Sequence, residues 1–400
     1  MNIENSSTTS VSTPLPRREG TGVGLERQGG GSARMEWIDA MRGFTMLLVV
    51  AYHVSINGYM ESPKASTYLS TFVLFRMPLF FFISGFFSYS TKVAWNLRTL
   101  GSLTLKKLRI QMLPTIIFFS LFVVVFRPHF WAGCLEFLHK DTKGGYWFTY
   151  ILLLMFVLYY LFAYAESLLK RYIRRHRWGS LSRRQSIWKK ARRFDWLPIT
   201  LFWLVWLAAY ATWFMPSWFK YPKSDFMQWS SFGQVIQFFH FFLAGNIVRR
   251  YWGRFQRLFD SKWFAPFVIA LAIVTLCEFL KWKTLRMQWT NLPRTLCMYS
   301  LMTVVILYFR HYAEAFSKQT IIGRTLQYIG VRTLDIYLIH VLFVPQMAFV
   351  GAWLKTIHYN FALDLLLSFL GAFVITGLSI MASNIIRISP LLKYYIFGRK

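Results

Sequence analysis

Apolar runs long enough to cross a bilayer recur along the whole chain, and they leave few folds open. They lie at about 37–58, 68–90, 111–127, 146–166, 197–214, 230–248, 264–280, 294–311, 329–354 and 361–386. A helix needs roughly twenty apolar residues to span hydrocarbon. The pattern therefore predicts an all-α, polytopic membrane protein with about ten transmembrane helices. The runs at 264–280 and 294–311 are the weakest, because Glu278 and Lys281 crowd one end. Composition agrees: 55% of the 400 residues are hydrophobic and 20% aromatic, more than a soluble domain carries. No fixed-period repeat appears, and no matching pair of interrupted helices of the kind found in inverted-repeat transporters.

The net charge of +30 does not point to nucleic acid, because the basic residues gather in loops between apolar runs, as the positive-inside rule describes. Eleven Lys and Arg residues lie between Lys170 and Arg193. They place that loop in the cytoplasm and suit it to anionic lipid headgroups. Lys92 to Arg109 and Arg249 to Lys262 are also basic, whereas 59–67 and 355–360 are short and weakly charged. Residues 1–34 lack the apolar core of a signal peptide and read as a disordered cytoplasmic tail. Residues 35–390 then form the membrane domain and 391–400 a cytoplasmic C-terminal tail. Cys134, Cys277 and Cys297 lack the spacing of a metal site or disulfide framework and read as packing residues.

Within the first run, Arg42 and His53 are eleven residues apart. On a helix that interval is close to three full turns, so both side chains share a face about 16 Å apart. Ionisable groups are rare in hydrocarbon, and a pair on one face points to function. The bland alternative is that Arg42 snorkels and His53 hydrogen-bonds a neighbouring helix. Asp39, one turn before Arg42, is placed to orient its guanidinium. Arg42 near the cytoplasmic mouth offers a planar fork to a phosphate-bearing donor. His53, deeper, is suited to take a proton from a sugar hydroxyl near neutral pH.

Other residues are less specific. Arg76 is expected to open the second span on the outer side, where it can meet an acidic or polyhydroxylated acceptor. Pro78 kinks or starts that helix, and Ser84-Gly85 permits close helix approach, so Ser84 reads as packing more readily than as a nucleophile. Lys106, Lys107 and Arg109 precede the third span as a basic cluster that reads first as a positive-inside loop, with a second donor-phosphate contact as the alternative. Trp147 has the look of an interfacial aromatic belt. His240 reads as packed among aromatics, and His340, taken alone, as structural.

Taken in order, several stretches resemble the acyltransferase-3 family of integral membrane acyltransferases. They are Asp39-Ala40-Met41-Arg42-Gly43 with His53, the block Pro78 to Phe86, Lys106 to Arg109 before Pro114, Trp147-Phe148, Phe241 to Gly245, and Ile336 to His340. Lys106 stands where members often carry Arg, and Tyr146 where a histidine often precedes the Trp-aromatic pair. Arg76-Met77, Ser84 to Tyr89 and Pro390 to Lys393 are similar to the branch that succinylates periplasmic glucans.

The resemblance implies an O-acyltransferase of the cell inner membrane. Its donor is a cytoplasmic acyl-coenzyme A, used as co-substrate with no bound cofactor, and its acceptor a periplasmic glucan or other envelope polysaccharide. It implies essential roles for Arg42 and His53, with Asp39, Arg76, Ser84, Lys106, Lys107, Arg109, Trp147 and His340 as substrate-binding candidates. A covalent acyl-histidine relay remains a variant of the general-base scheme. A transporter or channel for an anion or carbohydrate is the alternative, and a structural partner in glucan export a poorer third. An even number of spans puts both termini in the cytoplasm. A reporter active only in the periplasm, fused after Lys400, should be silent; an active fusion makes the span number odd.

Overall fold

The helix Phe361–Ile388 is built inside out. Its buried residues include Asp364, Ser368, Thr376, Ser379 and Ser383, while Leu366, Leu370, Phe373, Val374, Leu378, Met381 and Ile385 are exposed. Polar groups inward and a continuous apolar stripe outward is the arrangement hydrocarbon demands. The chain is an all-helical polytopic membrane protein. The computed structural model describes residues 35–62, 65–176, 195–213, 225–285 and 291–397. The tail 1–34 and the basic loop beyond residue 176 lie outside them.

In chain order the helices are α1 (Glu36–His53), α2 (Thr67–Ser88), α3 (Leu97–Lys107), α4 (Leu113–Phe126), α5 (Phe130–His139), α6 (Trp147–His176), α7 (Leu197–Trp213), α8 (Asp225–Ser230) and α9 (Phe232–Arg250). They continue with α10 (Trp252–Phe259), α11 (Phe264–Leu285), α12 (Asn291–His311), α13 (Ile321–Val331), α14 (Thr333–Ile339), α15 (Ala348–Thr356), α16 (Phe361–Ile388) and α17 (Pro390–Phe397). Four helical stretches among the described residues are long and apolar enough to span a membrane, or up to six if each bent pair counts as one. That criterion does not reach ten. The first run fails it because Glu36, Asp39 and Arg42 all fall within the eighteen residues of α1.

α1 is the central helix. It packs on α2, α12, α13, α14 and α16, and twelve of its eighteen residues are buried. A helix apolar nearly all round belongs in an interior. Close approach is made by glycine. A Cβ on Gly43 would lie 1.9 Å from the Leu326 carbonyl oxygen of α13, and one on Gly330 would lie 1.9 Å from that of Asp39. The same device joins α2 to α9: a Cβ on Gly85 would meet the Phe242 oxygen at 1.8 Å, and one on Gly245 the Phe82 oxygen at 1.9 Å. Small residues at crossings let membrane helices gain van der Waals contact where no hydrophobic driving force acts between them.

Three expectations need correction. The third span begins well before residue 111, because Leu97–Phe126 runs as one helical stretch of 30 residues. The Asn96 side chain caps it by accepting from the Thr99 N–H at 2.7 Å, and a π turn at Leu108–Met112 absorbs the irregularity ahead of Pro114. Lys106, Lys107 and Arg109 are thus helical, not a preceding loop. The run 329–354 is not one helix, since Thr333–Phe343 and Ala348–Thr356 are bent by 88° around Pro345, which cannot continue a helix. Finally, Arg76 does not open α2. Ser66 caps that helix, its hydroxyl accepting from the Leu69 N–H at 3.1 Å, so Arg76 lies mid-helix, and Pro78 sits inside the helix.

The crossings generate a prediction. Gly43→Ala or Gly85→Ala sets a methyl against backbone that cannot swing aside, and overpacking of this kind costs about 1–3 kcal/mol or more. Each should lower the thermal midpoint in detergent. Gly101→Ala, with nothing within 4 Å of its Cβ, should leave it equal or raise it, since Ala outranks Gly in a helix by roughly 1 kcal/mol.

Candidate functional site

The two ends of α1 carry two separate groups. At the end nearer its N-terminus, Arg42 Nη1 lies 3.8 Å from Asp39 Oδ1, and Nη2 donates to Thr333 Oγ1 at 3.3 Å. The guanidinium stands 5.7 Å from the Phe87 ring centroid. Its side chain keeps 30% of its exposure, whereas Asp39 keeps 5%: the acid is buried and the fork still reaches outward. Lys107 lies within electrostatic range of Arg42 and Lys106, and its ammonium stacks over Phe156 at 3.5 Å. The helical course of 97–126 brings this cation to Arg42.

At the other end, the His53 ring meets His340, centroid to centroid at 5.0 Å. The structure joins two histidines 287 positions apart. His340 is fully buried and is the first residue after α14, opening the short helical turn His340–Phe343 that precedes the break in the span. Its Nδ1 lies 3.0 Å from the Ile336 carbonyl oxygen. A carbonyl only accepts, so Nδ1 carries the proton and Nε2 the lone pair. That Nε2 is buried with no hydrogen-bond partner. α14 is held by aromatic hydroxyls: Tyr337 donates to the Gly145 carbonyl and accepts from the Phe148 N–H at 3.3 Å, and Tyr146 donates to the Leu338 carbonyl at 3.1 Å. The turn bearing these partners needs φ values of 63° at Gly144 and 97° at Gly145, which glycine adopts without strain.

His53 ends α1 where a π turn, Val54–Gly58, takes over; such turns cluster at functional positions. Its Nδ1 lies 3.3 Å from Asn57 Nδ2. As placed, the amide donates and His53 Nε2 holds the proton; with the amide turned, Nδ1–H donates and Nε2 becomes the free base. Arg76 completes the group. It is 8% exposed, lies within electrostatic range of His53, and stacks over the Tyr52 ring at 3.3 Å.

The remaining sequence candidates fall elsewhere. The Ser84 hydroxyl donates back to the Phe80 carbonyl at 2.9 Å, a packing role. Trp147 stacks on Phe238 at 5.8 Å within a cluster that includes Phe81. Lys106 is exposed, and Arg109 lies 4.4 Å over the Tyr394 ring of α17. His240 sits among aromatics, its Nδ1 2.7 Å from the Tyr299 hydroxyl.

Residues not singled out from sequence include Asn57, Tyr52, Tyr337 and an acid pair beyond His53. Only Asn57 had a local signal, its spacing of four from His53. In the pair, Glu61 is 4% exposed and Asp364 fully buried. Asp364 accepts from the Ser66 hydroxyl at 2.5 Å and the Ser368 hydroxyl at 3.3 Å, and Ser368 in turn meets Ser55 at 2.7 Å. Burial, then the Asp364 charge, push the Glu61 carboxyl up to about 8. It therefore keeps its proton at neutral pH.

The linkage has a definite sign. The unfolded chain releases this proton near the ordinary Glu value, about 4.3, and the folded protein near 8. Between those values the folded state binds more protons, so stability falls as pH rises through the window and levels above it. Glu61→Gln should flatten that part of the wild-type pH profile of the detergent thermal midpoint between pH 5 and 8. Parallel profiles for the two proteins would show that Glu61 titrates normally.

Compared with known proteins, residues 35–384 match a family model, described as an acyltransferase domain, that covers most of the chain. No curated protein matches, and no solved structure does.

Proposed function

The chain belongs to the acyltransferase-3 family, and from that premise we propose that it moves a succinyl or acetyl group from cytoplasmic acyl-coenzyme A to hydroxyls of a periplasmic glucan or another envelope carbohydrate. The observation that carries this reading is the division of labour along α1: an outward-reaching Arg42 at one end, and His53 against His340 about 16 Å farther along one face. Arg42, backed by Lys107, is a bidentate partner for donor phosphate. The histidine pair is the proton acceptor. The glucan acceptor rests on resemblance to glucan biosynthesis protein C at Arg76-Met77, Ser84 to Tyr89 and Pro390 to Lys393.

In this reaction the acceptor hydroxyl oxygen attacks the thioester carbonyl carbon. A C–O bond forms, the C–S bond breaks, and the hydroxyl proton passes to an imidazole nitrogen of the pair. Coenzyme A leaves as thiolate and takes up that proton. Holding the donor at Arg42 and the hydroxyl at His53 converts a bimolecular encounter into a reaction within one complex. The inner membrane is the location that this supply of substrates requires, and the basic residues between Lys170 and Arg193 support cytoplasmic termini.

Reconstituted vesicles supplied with acyl-coenzyme A and a glucan acceptor test the scheme. Arg42→Lys keeps the charge and loses the fork, so the donor KM should rise about tenfold. His53→Ala should lose about 10²–10⁴-fold in transfer while still binding donor. His340→Ala should also lose at least tenfold. Wild-type turnover by His53→Ala refutes the base assignment. Vesicles that conduct anions but transfer no acyl group move the protein to the transporter class.

A further inference from the structure

Among the described residues, Arg76 is a buried cation with no carboxylate paired to it. It lies mid-helix in α2 and is 8% exposed. Its Nε and Nη1 are buried without hydrogen-bond partners. Its near neighbours are Tyr52, which lies under the guanidinium at 3.3 Å and also hydrogen-bonds it, and Tyr68 and Tyr337; none of them is a carboxylate. Stacking on one ring returns about 0.5–2 kcal/mol, whereas burying a charge costs several. The rings alone do not offset that cost, so a planar donor face is held ready for something negative. Intramembrane ions are retained for function, with a partner to be found.

The position says which partner. Arg76 lies within electrostatic range of His53, and its stacking partner Tyr52 is the residue next to His53 in the chain. Donor phosphates already have Arg42 at the far end of α1. Acceptor hydroxyls have the open side of His53, where Asn57 is exposed. What remains beside His53, enclosed in protein, is the acyl group itself. We propose that Arg76 binds the free carboxylate of a dicarboxylic acyl group, such as succinyl, while its thioester end is presented to His53. Guanidinium and carboxylate match as a bidentate pair, and an acetyl group would leave Arg76 unanswered. Discrimination of this kind is large, because the competitor strands a buried polar group. The proposal rests on the acyl-transfer reading above and selects among its donors.

The test uses the full-length protein in vesicles with three donors: succinyl-coenzyme A, its monomethyl ester, and acetyl-coenzyme A. The ester matches the succinyl chain but carries no charge at its end. Wild-type kcat/KM for succinyl should exceed both others by about 10²-fold. In Arg76→Gln that preference should collapse to within roughly tenfold, and Arg76→Lys should recover part of it. In detergent without substrate, Arg76→Gln should melt no lower than wild type, because it removes an uncompensated charge. Equal use of charged and uncharged donors by wild type overturns the proposal. So does an Arg76→Gln protein that slows all three donors equally or melts well below wild type. Wild-type protein that transfers from none of the donors overturns the acyl-transfer reading instead.

Discussion

Hydrocarbon solvates neither a charge nor an unpaired amide, and α1 must nevertheless carry Asp39, Arg42 and His53 through it. The surrounding helices answer that constraint. They approach α1 closely enough to exclude lipid from its polar face, and at Gly43 and Gly330 the approach leaves no room for a methyl group. Thr333 then reaches Arg42, and His340 reaches His53. Both come from the segment that follows α13, so one crossing sets the position of both ends. The glycine contact and the two polar contacts form a single mechanical unit.

A second polar layer lies beyond the histidines. Tyr68 interacts with both Arg76 and Asp364, and Asp364 binds Ser66 and Ser368. Ser66 also caps α2, so the hydroxyl that starts the Arg76 helix is bonded to the acid at the start of α16. Buried networks of this kind hold their shape because every member that loses a partner meets the full cost of desolvation. Glu61 escapes that cost by holding its proton, whereas Arg76 cannot.

The Arg42–His53 spacing was legible because an eleven-residue interval has one meaning on a helix. The polytopic class was legible because bilayer thickness sets the length of the runs. The His53–His340 contact was not, since it depends on how helices far apart in sequence cross and on a break near Pro345. Arg76 was placed too near the surface because Pro78 can start a helix as well as sit inside one, and here it sits inside. The early start of the third span was hidden for a related reason: a helix segment with exposed Lys106 and Arg109 carries the same residues as a basic loop.

The break after Phe343 has a consequence for traffic. Backbone that leaves a helix inside hydrocarbon persists only where protein or water covers it, and His340, just before the break, is fully buried in protein. Arg42, by contrast, sits on an unbroken stretch of α1, about three turns from His53. On the proposed reading, donor and acceptor arrive from opposite sides and meet at His53 without either passing the other. One resting shape then serves the whole cycle, and the membrane is crossed by the acyl group alone, without the rocking that a carrier needs.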